Sequence, residues 1–211
     1  MHDANEIVPA EKIYRSDGGR LSSFANMFRW VLLNAHGGQW VDMDMICLKP
    51  FDFTDEIVFG FQDERTVNTA VLRFPKGHIL TTIMKKVCDD VNIFQPIDTP
   101  KSVAKKIARK ILLGKEKSRA RTRFTEPGGP DYFTKFLAHY DLLEQAKPVN
   151  WFYPISSKSA LDVFANADKT REAVKDSYAV HLWNGALGHK SDYGEDNANE
   201  SLFDQLRAQY S

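Results

Sequence analysis

The sequence predicts an α/β fold, because helical and extended hydrophobic patterns alternate along a chain long enough to form one compact core. Of its 211 residues, 43% are hydrophobic and 12% aromatic, as in a globular domain. A strongly amphipathic segment is followed by a Gly-Gly pair and then by the alternation that is typical of a strand. We therefore expect one domain over residues 1–211, without internal repeats or a boundary to a second domain.

The clearest predicted helix covers residues 21–35, where apolar side chains recur at helical spacing and Gly37 follows. Ser22 or Ser23 is expected to cap its N-terminus. The same kind of spacing predicts three further helices: 79–91, 100–113, and an aromatic-rich helix that begins after the turn at 128–130.

Alternation after Gly37 and Gly38 predicts a strand that places Asp42 and Asp44 on the same face. The polar segment 188–200 is predicted to be a loop. Four other short apolar runs are predicted to be strands: 57–61, 70–74, 149–153 and 178–183.

The composition excludes several classes of protein. The 28 basic and 28 acidic residues give no net charge, so we expect no nucleic-acid partner. Two cysteines, Cys47 and Cys88, cannot form a disulfide framework or a four-ligand zinc site, which favours a reducing, cytoplasmic location. No apolar run approaches the length of a membrane span, and residues 1–9 do not resemble a targeting segment.

Positive charge is concentrated between Lys101 and Arg123, which contain ten Lys or Arg against one acid, Glu116. Residues 100–124 are therefore a candidate basic helical insertion. One interpretation is a solvated helical hairpin. The other is a surface that docks on an anionic membrane or an acidic glycan, where the protein would be peripheral to the inner face of the membrane.

The pair Asp42 and Asp44 is the main candidate for chemistry. Two such carboxylates can hold a divalent cation that bridges them to a substrate diphosphate. With 18 aspartates in the chain, an Asp-x-Asp pattern is expected by chance, so its context decides. The pair ends an apolar segment, where burying two acids is costly without a cation or hydrogen-bond donors. The alternatives are two aspartates exposed at a strand end, or the nucleophile and acid of an Asp-x-Asp phosphatase.

The wider context resembles a known family. Residues 24–33 are Phe-Ala-Asn-Met-Phe-Arg-Trp-Val-Leu-Leu, and 37–44 are Gly-Gly-Gln-Trp-Val-Asp-Met-Asp. Together they resemble the glycosyltransferases with a sugar-binding DXD motif, glycosyltransferase family 32, which includes α-1,4-galactosyltransferases and initiating mannosyltransferases. The resemblance continues at the following short stretches: Asn-Thr-Ala-Val from Asn68, Gly129-Pro130, Phe-Tyr-Pro from Phe152, and His-Leu-Trp-Asn from His181.

The resemblance implies a GT-A-like, Rossmann-type sandwich with a mixed central sheet, and a retaining transfer of a sugar from a nucleotide-sugar. A UDP-sugar is the favoured donor, GDP-mannose the other one, and the acceptor is a glycan or lipid-linked hydroxyl. Asp42 and Asp44 would be catalytic and, with His181, would hold Mn²⁺ or Mg²⁺. The residues implied in donor binding are Asn26, Arg29, Asp42, Asn68, Gly129 and Pro130.

Two departures from the family pattern bear on this expectation. Ala25 and Asn26 stand where the family has Ser-Asp. The side chain that would contact a donor hydroxyl is therefore the amide of Asn26 instead of a carboxylate. From the resemblance we also expect that the strand, helix and strand that carry the base pocket in the family are lacking or shortened before the arginine helix. We expect a bacterial polysaccharide or glycolipid transferase, and the alternative is a truncated, non-catalytic relative that binds sugar nucleotides.

Overall fold

The computed structural model describes residues 3–16, 19–90, 92–112, 128–165, 167–187 and 201–209. Within these ranges the fold mixes helices with short strands, which confirms the predicted α/β class. The strands are β1 (Gly38–Val41), β2 (Met45–Cys47), β3 (Val71–Phe74) and β4 (Ala179–His181).

Most of the regular secondary structure in the described ranges is helical. Short 3₁₀ turns also occur at Ala4–Glu6, Ala10–Lys12, Leu143–Gln145 and Ser157–Ser159. The α-helices are α1 (Ser22–His36), α2 (Ile79–Asp89), α3 (Pro100–Leu112), α4 (Pro130–His139), α5 (Val149–Phe152), α6 (Asp162–Ala165), α7 (Ala167–Val174), α8 (Asn184–Leu187) and α9 (Leu202–Gln209).

The chain forms two compact units, each built from separate stretches of sequence. The first unit consists of Met1–Trp40, Asp55–Phe59 and Thr66–Ala146. The second consists of Val41–Thr54, Gly60–Arg65 and Lys147–Ser211. The single catalytic domain over 1–211 stays a prediction.

The first unit is organised around Trp30 on α1, which is completely buried. Its ring lies 5.0 Å from Phe133 of α4 and 6.2 Å from Phe74 of β3. Its Nε1 atom donates a hydrogen bond to the Gly128 carbonyl over 2.7 Å. The helices predicted at 21–35, 79–91 and after 128–130 are confirmed, although Val91 lies outside the described residues.

The end of α1 requires glycine at position 37. Gly37 has a φ of +69°, and its N–H donates to the Leu33 carbonyl over 2.8 Å. A Cβ atom there would lie 2.5 Å from the backbone nitrogen of Lys76. Both the left-handed backbone and the close approach of the neighbouring chain therefore exclude a side chain.

The predicted serine cap of α1 is wrong. Leu21 occupies the N-cap position with φ −89° and ψ −3°, and no side chain caps the helix. Because the backbone is already helical at Leu21, Ser22 and Ser23 fall within the first turn, beyond the position from which a hydroxyl caps.

The second unit contains a cluster of aromatic rings. The ring of Phe53 stacks on Trp151 at 5.7 Å, and Tyr178 lies 4.9 Å from Phe53 and 4.7 Å from Trp151. A neighbouring aliphatic cluster consists of Ile155, Val163, Val174, Val180 and Leu202. These two clusters support β4 and the short helices around it.

The predicted strand over 149–153 is wrong, because Val149–Phe152 forms one helical turn after Pro148. The helix directs Trp151 and Phe152 into the aromatic cluster, and this packing outweighs the strand propensity of the residues. The segment 57–61 is not a strand either. Val58 makes an isolated bridge to Arg73 in the first unit, and Gly60 makes one to Lys147 in the second.

The described strands form two separate two-stranded sheets, β1 with β3 and β2 with β4. The predicted strands at 70–74 and 178–183 are confirmed in shorter form as β3 and β4. The GT-A-type sandwich stays a prediction. The loop predicted at 188–200, and residues 113–127 within the basic segment, lie outside the described residues.

Candidate metal centre

The expected strand over the aspartate pair is interrupted by a turn. The Met45 N–H donates to the Asp42 carbonyl over 3.1 Å, which closes a four-residue turn before β2. Met43 stands fully exposed at the tip of this turn. The prediction that alternation along one strand aligns the two aspartates is therefore wrong, because the turn brings them to the same side.

β4 places His181 beside this turn. β2 and β4 are antiparallel, with Met45 opposite His181. The Leu182 N–H extends the pairing by donating to the Asp44 carbonyl over 2.8 Å. The backbone hydrogen bonds on either side of His181 thus hold its side chain next to that of Asp44.

Both carboxylate oxygens of Asp44 have partners. Oδ1 lies 3.2 Å from Nε2 of His181, and Oδ2 accepts from the Asn184 N–H over 3.1 Å. Burial by itself would raise the pKa of Asp44, but the contact with His181 and the Asn184 N–H together lower it below the usual value. Asp44 is therefore ionised at neutral pH, the form that binds a cation.

An unusual backbone conformation at Trp183 aims the Asn184 N–H at Asp44. Trp183 has a φ of +56°, which is rare for a bulky side chain. Its indole Nε1 donates to the Ile155 carbonyl over 2.8 Å, and its ring lies 4.1 Å from that of His181. Tyr153 packs on the imidazole at 5.8 Å. The packing of Trp183 and Tyr153 around His181, together with the hydrogen bond from Trp183 to Ile155, holds the left-handed backbone of Trp183 in place.

Asp42, Asp44 and His181 thus form one group. Each offers one ligand atom, and these atoms all lie within 4.8 Å of one another. His181 is only 7% exposed, and its Nδ1 atom has no hydrogen-bond partner in the described part of the chain. Two carboxylates and an imidazole fit a divalent metal.

The predicted donor residues of the first unit form a second cluster, in which Arg29 is almost completely buried. Its Nη1 atom donates to Asn26 Oδ1 over 3.3 Å and also to the Thr69 hydroxyl. The guanidinium lies 5.2 Å from the centre of the Trp40 ring. The structure thus brings Asn26 and Arg29 together, with a planar cation held on three sides.

The other predicted donor residues of this unit have structural roles. Asn68 is buried, and its Oδ1 atom accepts from the Ala70 N–H over 2.7 Å just before β3. Gly129 is the N-cap of α4, and Pro130 is its first residue. Their roles in donor binding stay predictions.

The sequence analysis did not identify three residues that contact the predicted site residues. Thr69 contacts Arg29, and Tyr153 and Trp183 contact His181. Thr69 lies within the Asn-Thr-Ala-Val stretch, but nothing in the sequence indicates that it contacts Arg29. Tyr153 and Trp183 also lie within quoted stretches, and their aromatic character is the only signal that could have drawn attention to them.

Residues 145–209 match the family model described as "Alpha 1,4-glycosyltransferase conserved region". This match confirms the resemblance inferred from the sequence motifs and the prediction of a glycosyltransferase of the hexosyltransferase type. The matched region contains His181 and Asn184, which contact Asp44, and Trp183, whose ring lies beside that of His181. The comparisons with curated proteins and with solved structures give no match.

Proposed function

We propose that the protein is a metal-dependent, retaining glycosyltransferase of GT-A type. It transfers a sugar from a nucleotide-sugar to a hydroxyl of a glycan or glycolipid, with a UDP-sugar as the favoured donor and GDP-mannose as the alternative. The observation that carries this proposal is the convergence of Asp42 and Asp44 on His181, because His181 belongs to the glycosyltransferase conserved region. We also propose an acceptor in bacterial surface polysaccharide or glycolipid assembly on the cytoplasmic side.

Asp42, Asp44 and His181 are the proposed ligands of a Mn²⁺ or Mg²⁺ ion, with Mn²⁺ favoured by the imidazole. When bound, the ion would supply positive charge that stabilises the departing nucleoside diphosphate. The Asn184 N–H and His181 keep the Asp44 carboxylate ionised and oriented. The backbone turn at Trp183 keeps that N–H directed at Asp44, so the carboxylate does not have to reorganise when the donor binds.

Arg29 is the proposed contact to donor hydroxyls or phosphate oxygens. Its hydrogen bonds to Asn26 and Thr69 and its position over Trp40 hold the guanidinium plane in one orientation. A planar, pre-oriented fork suits two neighbouring oxygen acceptors. Asn26 is itself a proposed donor contact, as an uncharged amide in place of the family's carboxylate. Asn68, Gly129 and Pro130 complete the proposed donor set.

The deciding experiment is calorimetric titration of UDP and then GDP into the full chain, with and without Mn²⁺. We expect nucleotide binding that requires Mn²⁺ and is lost in Asp44→Ala. The matched control is Asp52→Ala, which removes an exposed aspartate from the same unit and should bind like the wild type. Absence of binding to both nucleotides in the presence of Mn²⁺ would contradict the proposal.

Catalysis is tested separately from binding. An active transferase should slowly hydrolyse its nucleotide-sugar in the presence of Mn²⁺ when no acceptor is supplied. Nucleotide binding without any turnover, with or without candidate acceptors, would indicate a non-catalytic relative. Consumption of a simple phosphomonoester that depends on Asp42 would instead indicate a phosphatase.

A further inference from the structure

One polar face of the helix α3 contacts the segment that precedes the helix. The Ser102 hydroxyl donates to Asp98 Oδ1 over 2.7 Å, and Lys106 Nζ lies 2.7 Å from Asp98 Oδ2. The same Nζ atom donates to the Ile93 carbonyl over 2.7 Å. The side chains of Lys106 and Asp98 are 17% and 9% exposed, so this polar contact is largely shielded from water. The face that carries Ser102 and Lys106 is therefore the inner face of the helix.

Two apolar side chains of α3, Ile107 and Ile111, lie on the other side. At about 100° per residue, Ile107 and Ile111 point about 100–180° away from Ser102 and Lys106 around the helix axis. Ile107 is 42% exposed and Ile111 is 74% exposed. A surface helix normally buries its apolar stripe and exposes its charged face. α3 has the reverse arrangement, which leaves an apolar stripe on the surface.

The same helix carries exposed positive charge. α3 contains five Lys or Arg and no acidic residue. Lys101 and Lys105 are both exposed, on a flank of the helix that lies about 80–160° from the two isoleucines around the axis. The α3 surface, defined here as Lys101, Lys105, Ile107 and Ile111, thus combines exposed apolar groups with positive charge and without a compensating acid on the helix.

This combination selects one kind of partner. An acidic glycan would pair with the lysines but would leave both isoleucines in contact with water. A second copy of the chain, packed α3 against α3, would cover the isoleucines but would bring two basic helices together. An anionic lipid surface accommodates both features, because the apolar stripe enters the acyl boundary while the lysines reach the headgroups.

We propose that the α3 surface docks the protein on an anionic lipid bilayer, with the helix lying in the plane of the interface. This proposal goes beyond the transferase activity and does not depend on it. Docking needs neither nucleotide nor metal. It would, however, keep the protein at the surface where a lipid-linked acceptor resides. Within the described part of the chain, no helix is long and apolar enough to span the bilayer, and the proposed docking does not require one.

The test is co-sedimentation of the full chain with vesicles, without nucleotide or metal. We expect binding to phosphatidylcholine vesicles that contain phosphatidylglycerol, and little binding to phosphatidylcholine alone. Binding to the anionic vesicles should fall steeply toward about 1 M salt, where the Debye length is about 3 Å. Absence of binding to anionic vesicles at low salt, or equal binding to both kinds of vesicle, would overturn the proposal.

Two double variants separate the contributions of charge and apolar surface. Lys101→Glu with Lys105→Glu should lower the vesicle partition coefficient by about 30-fold or more, because each lysine near an anionic surface contributes about fivefold. The control with the same charge change is Lys135→Glu with Lys158→Glu, at two exposed lysines outside α3. An equal loss of binding in this control would show that vesicle binding depends only on the net charge of the protein. It would refute docking through the α3 surface.

Ile107→Ser with Ile111→Ser should lower the partition coefficient at least about tenfold, because apolar area no longer enters the interface. The matched control is Ile13→Ser with Ile79→Ser, since these residues are 49% and 63% exposed. Circular dichroism should show the same helix content in all four double variants. Self-association that depends on Ile107 and Ile111, or binding to an acidic polysaccharide but not to vesicles, would assign the surface to another partner and overturn the proposal.

Discussion

The Nε2 atom of His181 lies 3.2 Å from Oδ1 of Asp44, which joins the end of β4 to the turn that precedes β2. The antiparallel pairing of β2 with β4 makes this contact possible, and the left-handed backbone of Trp183 adds the Asn184 N–H on the other carboxylate oxygen. His181 and Asn184, which both contact the Asp44 carboxylate, come from the conserved region. This arrangement leads to the first prediction.

His181→Ala should weaken Mn²⁺ binding at least about tenfold, because it removes one of three ligands and also the group that orients Asp44. The affinity can be measured by electron paramagnetic resonance of free Mn²⁺ during a titration. His139→Ala, at an exposed histidine of α4, is the matched control and should leave the affinity unchanged. Equal affinities of wild type and His181→Ala would remove His181 from the proposed metal centre.

Arg29→Lys should lower the free energy of unfolding by about 1–3 kcal/mol, because an ammonium group cannot reproduce the planar contacts to Asn26, Thr69 and Trp40. Urea denaturation measures the change. The control is Arg171→Lys, where the exposed arginine contacts a half-buried glutamine, Gln205. That substitution should stay within about 0.5 kcal/mol of the wild type. Equal effects of the two substitutions would contradict a special role for the Arg29 cluster.

Asp98 should make the stability depend on pH. Burial alone would raise its pKa, but the hydrogen bonds from Lys106, Ser102 and the Gln95 N–H together lower it below 3.8. The folded chain therefore releases this proton more readily than the unfolded chain. The resulting stabilisation is complete above the unfolded-state pKa and is lost as the pH falls through the lowered folded-state value.

Asp98→Asn should accordingly be less stable than the wild type at neutral pH, and the difference should shrink on acidification below the usual carboxyl range. Urea midpoints measured from neutral pH to about pH 3 provide the check. Asp89→Asn is the control, because the ion pair of Asp89 with Lys85 is 46% and 39% exposed and contributes little. A stability difference for Asp98→Asn that stays constant with pH would argue against the ion pair.

Gly37→Ala should destabilise the first unit more than Gly77→Ala. Both glycines have a φ near +70°, so the backbone strain of a side chain is similar. At Gly37 the added Cβ atom would also lie 2.5 Å from the Lys76 nitrogen, whereas at Gly77 nothing lies within 4 Å. We expect about 1 kcal/mol at Gly77 and an additional 1–3 kcal/mol, roughly, at Gly37. Thermal or urea unfolding of both variants measures the difference, and equal losses would refute the steric argument.

Local patterns predicted the presence of the long helices, although they placed the N-cap of α1 at the wrong residue. α1 was visible because Phe24, Phe28 and Val31 recur at helical spacing and Gly37 follows its end, although the structure buries a neighbouring face that contains Trp30 and Leu33. The same holds for α4, which begins at Pro130 after two glycines. These signals are local, because they depend on residues within a few positions of each other. For the same reason the sequence could not distinguish a strand from a single helical turn at Val149–Phe152, where distant aromatic rings decide the conformation.

The sequence alone determined which residue types could form the candidate centre, since Asp42, Asp44 and His181 were identified from motifs and their resemblance to a family. Only the tertiary structure decided how they come together: through a turn rather than along a strand, with His181 positioned by strand pairing and Asp44 held by the Asn184 N–H. It also decided which face of α3 is exposed. The sequence shows the apolar stripe, but the contact of Ser102 and Lys106 with Asp98 turns that stripe toward solvent. Such outcomes depend on contacts between residues far apart in the chain or on different elements, which periodicity does not encode.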